Sequence, residues 1–80
     1  MMYYVYMLRS IPFPDSHYTG LTEDLNQRFR QHNAGESTHT RKFMPWVLLG
    51  YIAFSDRGKA EAFEAYLKTA SGRAFAKKHF

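Results

Sequence analysis

The chain is 80 residues long, 45% hydrophobic and 18% aromatic, with 11 Lys+Arg against 7 Asp+Glu and a formal net charge of +4. That length allows one small domain, residues 1–80, with enough apolar content for a packed core. The lack of cysteine excludes disulfides, thiolate chemistry and cysteine zinc sites, and no apolar run nears the ~20 residues that span a bilayer.

Without a secretory pattern at the N-terminus, a cytoplasmic location is expected. Met2 to Arg9 reads as a strand rich in aromatic and β-branched residues. Tyr4, Tyr6 and Leu8 fall on one side and Tyr3, Val5 and Met7 on the other, so this strand is expected to be covered on both faces or central in its sheet. Pro12 and Pro14 make Ser10–Ser16 a loop, and His17-Tyr-Thr-Gly20 a short second strand antiparallel to the first. Thr22 is the expected cap of a helix, with Glu23 and Asp24 in its first turn and Leu25, Phe29 and His32 on one stripe. Asn33-Ala-Gly35 supplies its stop, and Glu36 to Met44 is a polar, basic loop.

Trp46 to Phe54 is the third strand. A second helix is expected from Ser55 or Asp56 to about Ala70, with Ala60, Phe63, Tyr66, Leu67 and Ala70 as its buried stripe and Gly72 as its stop. Arg73 to Phe80 is expected to add one short helical turn anchored by Phe75. The order is β-β-α-β-α, an α+β fold with helices packed on a three-stranded antiparallel sheet. Phe13, Trp46 and Phe54 are the expected large contributors of buried area.

Three groups could carry chemistry. Arg28 and His32, four residues apart, share a helical face, with Arg28 at the flank of the apolar stripe; alternatively Arg28 is solvated and His32 fills a core edge. Tyr3, Tyr4, Tyr6 and Tyr18 are either packing or phenols facing that arginine. Glu64 lies on the border of the second helix's stripe, where it could bind a hard divalent cation or simply pair with Lys68.

In order and spacing, these residues resemble the GIY-YIG nuclease family, most of all its small single-domain bacterial members, which are similar to the N-terminal domain of the excision-repair nuclease. Tyr4-Val-Tyr6 stands at the first triplet and Tyr18-Thr-Gly20 at the second. Asp24-Leu25, Arg28-Phe29 and His32-Asn33 resemble the helix motif D-L-x-x-R-h-x-x-H-N, and Lys59 to Leu67 resembles the metal-binding helix. Tyr4 replaces the first glycine, Thr19 the isoleucine, and Leu21 stands where some members have lysine.

The resemblance implies a metal-dependent endonuclease hydrolysing phosphodiester bonds, DNA more than RNA, with structure-selective or weakly sequence-selective cutting in repair or processing. Tyr6 and Tyr18 would position or activate water, one of them as general base. Arg28 would stabilise phosphoryl charge, and Glu64 would hold one Mg²⁺ or Mn²⁺. His32 would position water, move a proton or contact phosphate. Arg9, Arg30, Arg41 and Lys42 are candidate phosphate contacts. Two other readings stand beside it: a non-catalytic nucleic-acid-binding module, and an aromatic face that docks a protein, which requires an exposed apolar patch.

Overall fold

The computed structural model describes residues 1–80. Strands β1 (Tyr3–Ser10), β2 (His17–Thr22) and β3 (Trp46–Phe54) form an antiparallel sheet in the order β2-β1-β3. The strand with large side chains on both sides is therefore the central one, and both its faces are covered. Val5 and Met7 pack with Ala60, Leu67 and Ala76 on one face, and Tyr6 and Leu8 with Trp46 on the other. Val5 and Leu8 are fully buried, which stabilises the fold by about 1.5–3 kcal/mol each.

Helix α1 (Leu25–Asn33) covers the Tyr6–Leu8 face through Leu25 and Phe29, while α2 (Arg57–Leu67) and α3 (Ala70–His79) cover the Val5–Met7 face. The cap of α1 is Asp24, not Thr22: its carboxylate accepts from the Gln27 amide at 3.0 Å. Thr22 is still in the β2 ladder opposite Tyr4, and its hydroxyl accepts from the Asp24 amide at 3.1 Å, turning the chain into the helix. The expected stop holds, with Gly35 at φ 76 and the Glu36 amide bonded back to the Gln31 carbonyl at 3.1 Å.

The C-terminal third differs from the sequence reading. Helix α2 stops at Leu67, and the expected single turn is a ten-residue helix, α3. Thr69 makes the break, because its hydroxyl accepts from the Gly72 amide at 3.1 Å and caps the new helix. Gly72 is therefore not a stop. It lies in the first turn of α3 pressed on the end of α2, where a Cβ would fall on the Tyr66 carbonyl oxygen and 2.5 Å from its carbon. Tyr66 and Ala70, expected on the buried stripe, are exposed in consequence. Phe13 is also exposed, held only edge-on against Phe43 at 5.6 Å, because its proline-flanked loop runs outside both cores.

Candidate active site

The strand pairing fixes the first two groups. Tyr6 lies opposite Gly20 and Leu8 opposite Tyr18, so the two phenols project from one face as diagonal neighbours, with ring centroids 6.2 Å apart. The Tyr6 ring lies across Gly20: a Cβ there would fall on its hydroxyl oxygen. Glycine at this position is thus the space that the tyrosine occupies. It carries the Tyr6 hydroxyl toward β2, the edge of the sheet.

Helix α1 brings His32 beneath both rings, 5.8 Å from the Tyr6 centroid and 4.9 Å from that of Tyr18. His32 is fully buried and both its nitrogens are occupied. Nε2 is 2.8 Å from the Tyr6 hydroxyl and Nδ1 is 2.7 Å from the Thr40 hydroxyl. The phenol is the stronger acid of these two hydroxyls, so it donates to Nε2, and the Nδ1–H donates to Thr40. Thr40 is buried in turn, its carbonyl accepting from Trp46 Nε1 at 3.0 Å. Asn33 fastens the same helix end to β3 by pairing with the Trp46 backbone, at 2.6 Å to its amide and 3.1 Å to its carbonyl.

Burial sets the protonation states. It lowers the His32 pKa to about 4, assisted by the Arg28 charge, so the imidazole is neutral at pH 7. Burial likewise raises Tyr6 to about 12; the neighbouring Tyr18 and, more weakly, Glu64 push the same way, while Arg28 opposes by charge and hydrogen bonding. Tyr6 is therefore a phenol at neutral pH, not a stored phenolate.

One prediction follows from the histidine. Its folded pKa lies below the unfolded 6.5, so between about 6.5 and 4 the unfolded chain binds the extra proton. The stability contributed by neutral His32 is complete above pH 6.5 and is lost as pH falls toward 4, by roughly 3 kcal/mol. NMR titration should show the His32 ring unprotonated at pH 5. A His32 midpoint near 6.5 would contradict the buried hydrogen-bonded arrangement.

Arg28 and Glu64 are the only Asp, Glu, Lys or Arg side chains in the chain that are not exposed. Both bear on the same phenol, since the Tyr6 hydroxyl feels the guanidinium and the carboxylate. Arg28 donates to Gln31 Oε1 at 3.1 Å, which holds it along α1. Glu64 makes the ion pair with Lys68 that its spacing allowed, at 3.6 Å, and its charge is the weakest of those acting on the Tyr6 phenol. The two readings of Glu64 are compatible.

The four basic residues read as phosphate contacts do not form one group. Arg9 points from β1 into a cleft on the α3 side of the sheet, Arg30 is on the outer side of α1, and Arg41 and Lys42 sit in a 3-10 turn; all four are exposed. Sequence reasoning missed Thr40, which gave no signal beyond lying in a polar loop. It also missed what Gly20 and Asn33 do, since each reads only as a turn or motif letter until the strands are paired.

Comparison with known proteins gives consistent matches. The family model described as the GIY-YIG catalytic domain matches residues 2–78. A UPF0213 protein of Cupriavidus pinatubonensis is 41% identical over 68 residues, covering 84% of this chain and 71% of that protein. The structure-specific endonuclease subunit SLX1 of Debaryomyces hansenii is 38% identical over 73 residues, covering 82% of this chain but only 21% of the relative. The solution structure of a UPF0213 protein from Bacillus halodurans superposes with a TM-score of 0.58 at 32% identity, covering 96% of this chain and 81% of that one.

Proposed function

The chain belongs to the GIY-YIG family, and from that premise we propose that it is a metal-dependent endonuclease cutting phosphodiester bonds in structured DNA. The observation that carries this is the Tyr6 phenol bonded to a neutral imidazole, on which the half-buried charges of Arg28 and Glu64 both act. SLX1 relatives described as structure-specific endonuclease subunits support the preference for structure. So does size, because a domain of 80 residues has little surface for reading base edges.

A hard cation suits the donor set. No three His, Cys, Asp or Glu side chains cluster into a closed metal cage, and the His32 nitrogens are both engaged. That leaves Glu64 as one carboxylate to share a Mg²⁺ or Mn²⁺ with substrate phosphate and water, as oxygen-seeking ions allow. When bound, the ion would polarise the scissile phosphate and favour the leaving oxygen.

The protein's own groups account for the rest. Water attacks phosphorus as its proton passes to the Tyr6 oxygen, and Tyr6 gives its own proton to His32 Nε2. The P–O bond to the leaving group breaks, and the departing oxygen takes a proton from solvent. This relay avoids ionising a phenol whose pKa is about 12. Thr40 is a positioning residue that fixes the imidazole tautomer, Tyr18 orders the attacking water beside Tyr6, and Arg28 stabilises charge growing on the phosphoryl oxygens.

The test is incubation with nicked, branched and single-stranded DNA in Mn²⁺ and in EDTA. Metal-dependent cuts concentrated on one structured substrate support the reading. Binding to these DNAs with no cut under any condition would instead establish a non-catalytic binding module.

A further inference from the structure

One concavity of the molecule lies apart from the buried Tyr6–His32 pair. It is a cleft of about 770 Å³ between the β1/β2 side of the sheet and the α2–α3 corner. Three elements send cations into it: Arg9 from β1, Lys68 from the cap of α2, and Arg73 and Lys77 from one face of α3, with His17 of β2 alongside. Asp15 is its only acid, so four formal positive charges meet one negative, in a chain whose whole net charge is +4. Met7, Leu49, Leu67 and Phe80 give it an apolar lining, with Phe80 laid over Gly50.

One residue joins this cleft to the candidate active site. Lys68 lines it while its ammonium pairs with Glu64 at 3.6 Å. A polymer lying in the cleft is therefore brought beside the Glu64 carboxylate. A cationic trough with flat aromatic surfaces is what binds single strands, the phosphates tracking the charges and the bases stacking on the rings. A space of this volume suits a ligand of a few nucleotides.

We propose that this cleft binds a short single-stranded segment of nucleic acid, its phosphates on Arg9, Lys68, Arg73 and Lys77 and one base on Phe80. The path of the strand into the active centre rests on the nuclease reading; the binding itself does not. The segment is the unpaired arm of a structured substrate. Occupancy also offers Lys68 a phosphate in place of Glu64, which releases that carboxylate toward the reaction side.

The experiment measures binding of the full chain to fluorescein-labelled dT10 by polarisation in EDTA, where no cleavage can interfere. Wild type is compared with Arg73→Ala/Lys77→Ala and, for equal charge loss elsewhere, Arg57→Ala/Lys59→Ala; all four side chains are exposed, so the fold is kept. Four phosphate contacts predict a log–log salt slope of about −3 for wild type, and loss of two shallows it by about 1.4. The cleft variant is expected to bind at least 10-fold more weakly and the control variant within about 2-fold of wild type. Equal losses in both variants, no measurable binding by wild type, or equal competition by a duplex of the same length would each overturn the proposal. Cleavage of branched DNA in Mn²⁺, scored separately, shows whether the nuclease reading stands or falls on its own.

Discussion

Replacing Glu64 by alanine is expected to lower the rate of Mn²⁺-dependent cleavage by at least about 10³-fold, or some 4 kcal/mol of transition-state stabilisation. The size of the effect comes from redundancy, or its absence. No cluster of three His, Cys, Asp or Glu side chains exists to hold an ion that Glu64 releases. Stability should barely change, because the Lys68 partner is 59% exposed, and such pairs contribute about 0–1 kcal/mol. Arg28→Ala should cost about 10²–10³ in kcat, the range for losing one donor aimed at developing charge. Arg28→Lys should recover little, since a point charge does not reproduce the planar fork.

The two substitutions are separable by metal titration. Glu64→Gln should raise the Mn²⁺ concentration needed for half-maximal rate, whereas Arg28→Ala should lower the rate at an unchanged metal requirement. Circular dichroism and urea unfolding check that both variants fold. A Glu64→Ala protein cutting within threefold of wild type would remove the carboxylate from the mechanism.

The second large effect is expected at a residue with no side chain. Gly20→Ala puts a Cβ onto the Tyr6 hydroxyl oxygen and 2.5 Å from the ring carbon that bears it. The ring cannot simply lean away, since Tyr6 is 1% exposed and its hydroxyl is committed to His32 at 2.8 Å. Overpacking costs about 1–3 kcal/mol, and a rotated Tyr6 leaves His32 Nε2 buried without a partner for about 1–3 kcal/mol more. We expect a loss of roughly 2–4 kcal/mol in urea unfolding and at least a 10²-fold loss of cleavage. In a Gly20→Ala/Tyr6→Leu double variant the smaller side chain relieves the clash. Its destabilisation should fall short of the sum of the singles by 1 kcal/mol or more. If Gly20→Ala unfolds within 0.5 kcal/mol of wild type, the ring does not lie where this account needs it.

The aromatic protein-docking alternative loses its motive on the same geometry. Tyr6 is buried, and Tyr18 is spent on His32 and Trp46, so the phenols do not form an exposed apolar face.

What the chain determined by itself is whatever repeats over short spans. Period-two alternation in Met2 to Arg9 identified a strand covered on both sides, and helical spacing put Leu25, Phe29 and His32 on one stripe. Those are steric and hydrophobic regularities within a few neighbours. They were enough for the α+β class, the three strands and the α1 motif. Element ends were harder, because a cap is a contest between nearby side chains: Asp24 displaced Thr22, and Thr69 broke the second helix before Gly72 could stop it.

Tertiary structure alone decided the rest. Tyr6 and Gly20 are fourteen positions apart and meet only because the β1–β2 register sets them opposite. Thr40 and His32 are brought into hydrogen-bonding distance by the folding of a loop without periodicity. The basic cleft is assembled from cations on β1, at the end of α2 and on α3, which only the fold brings together. The pKa values near 4 and 12 belong to the same level, since desolvation depends on what the whole chain packs around a group, and not on its neighbours in sequence.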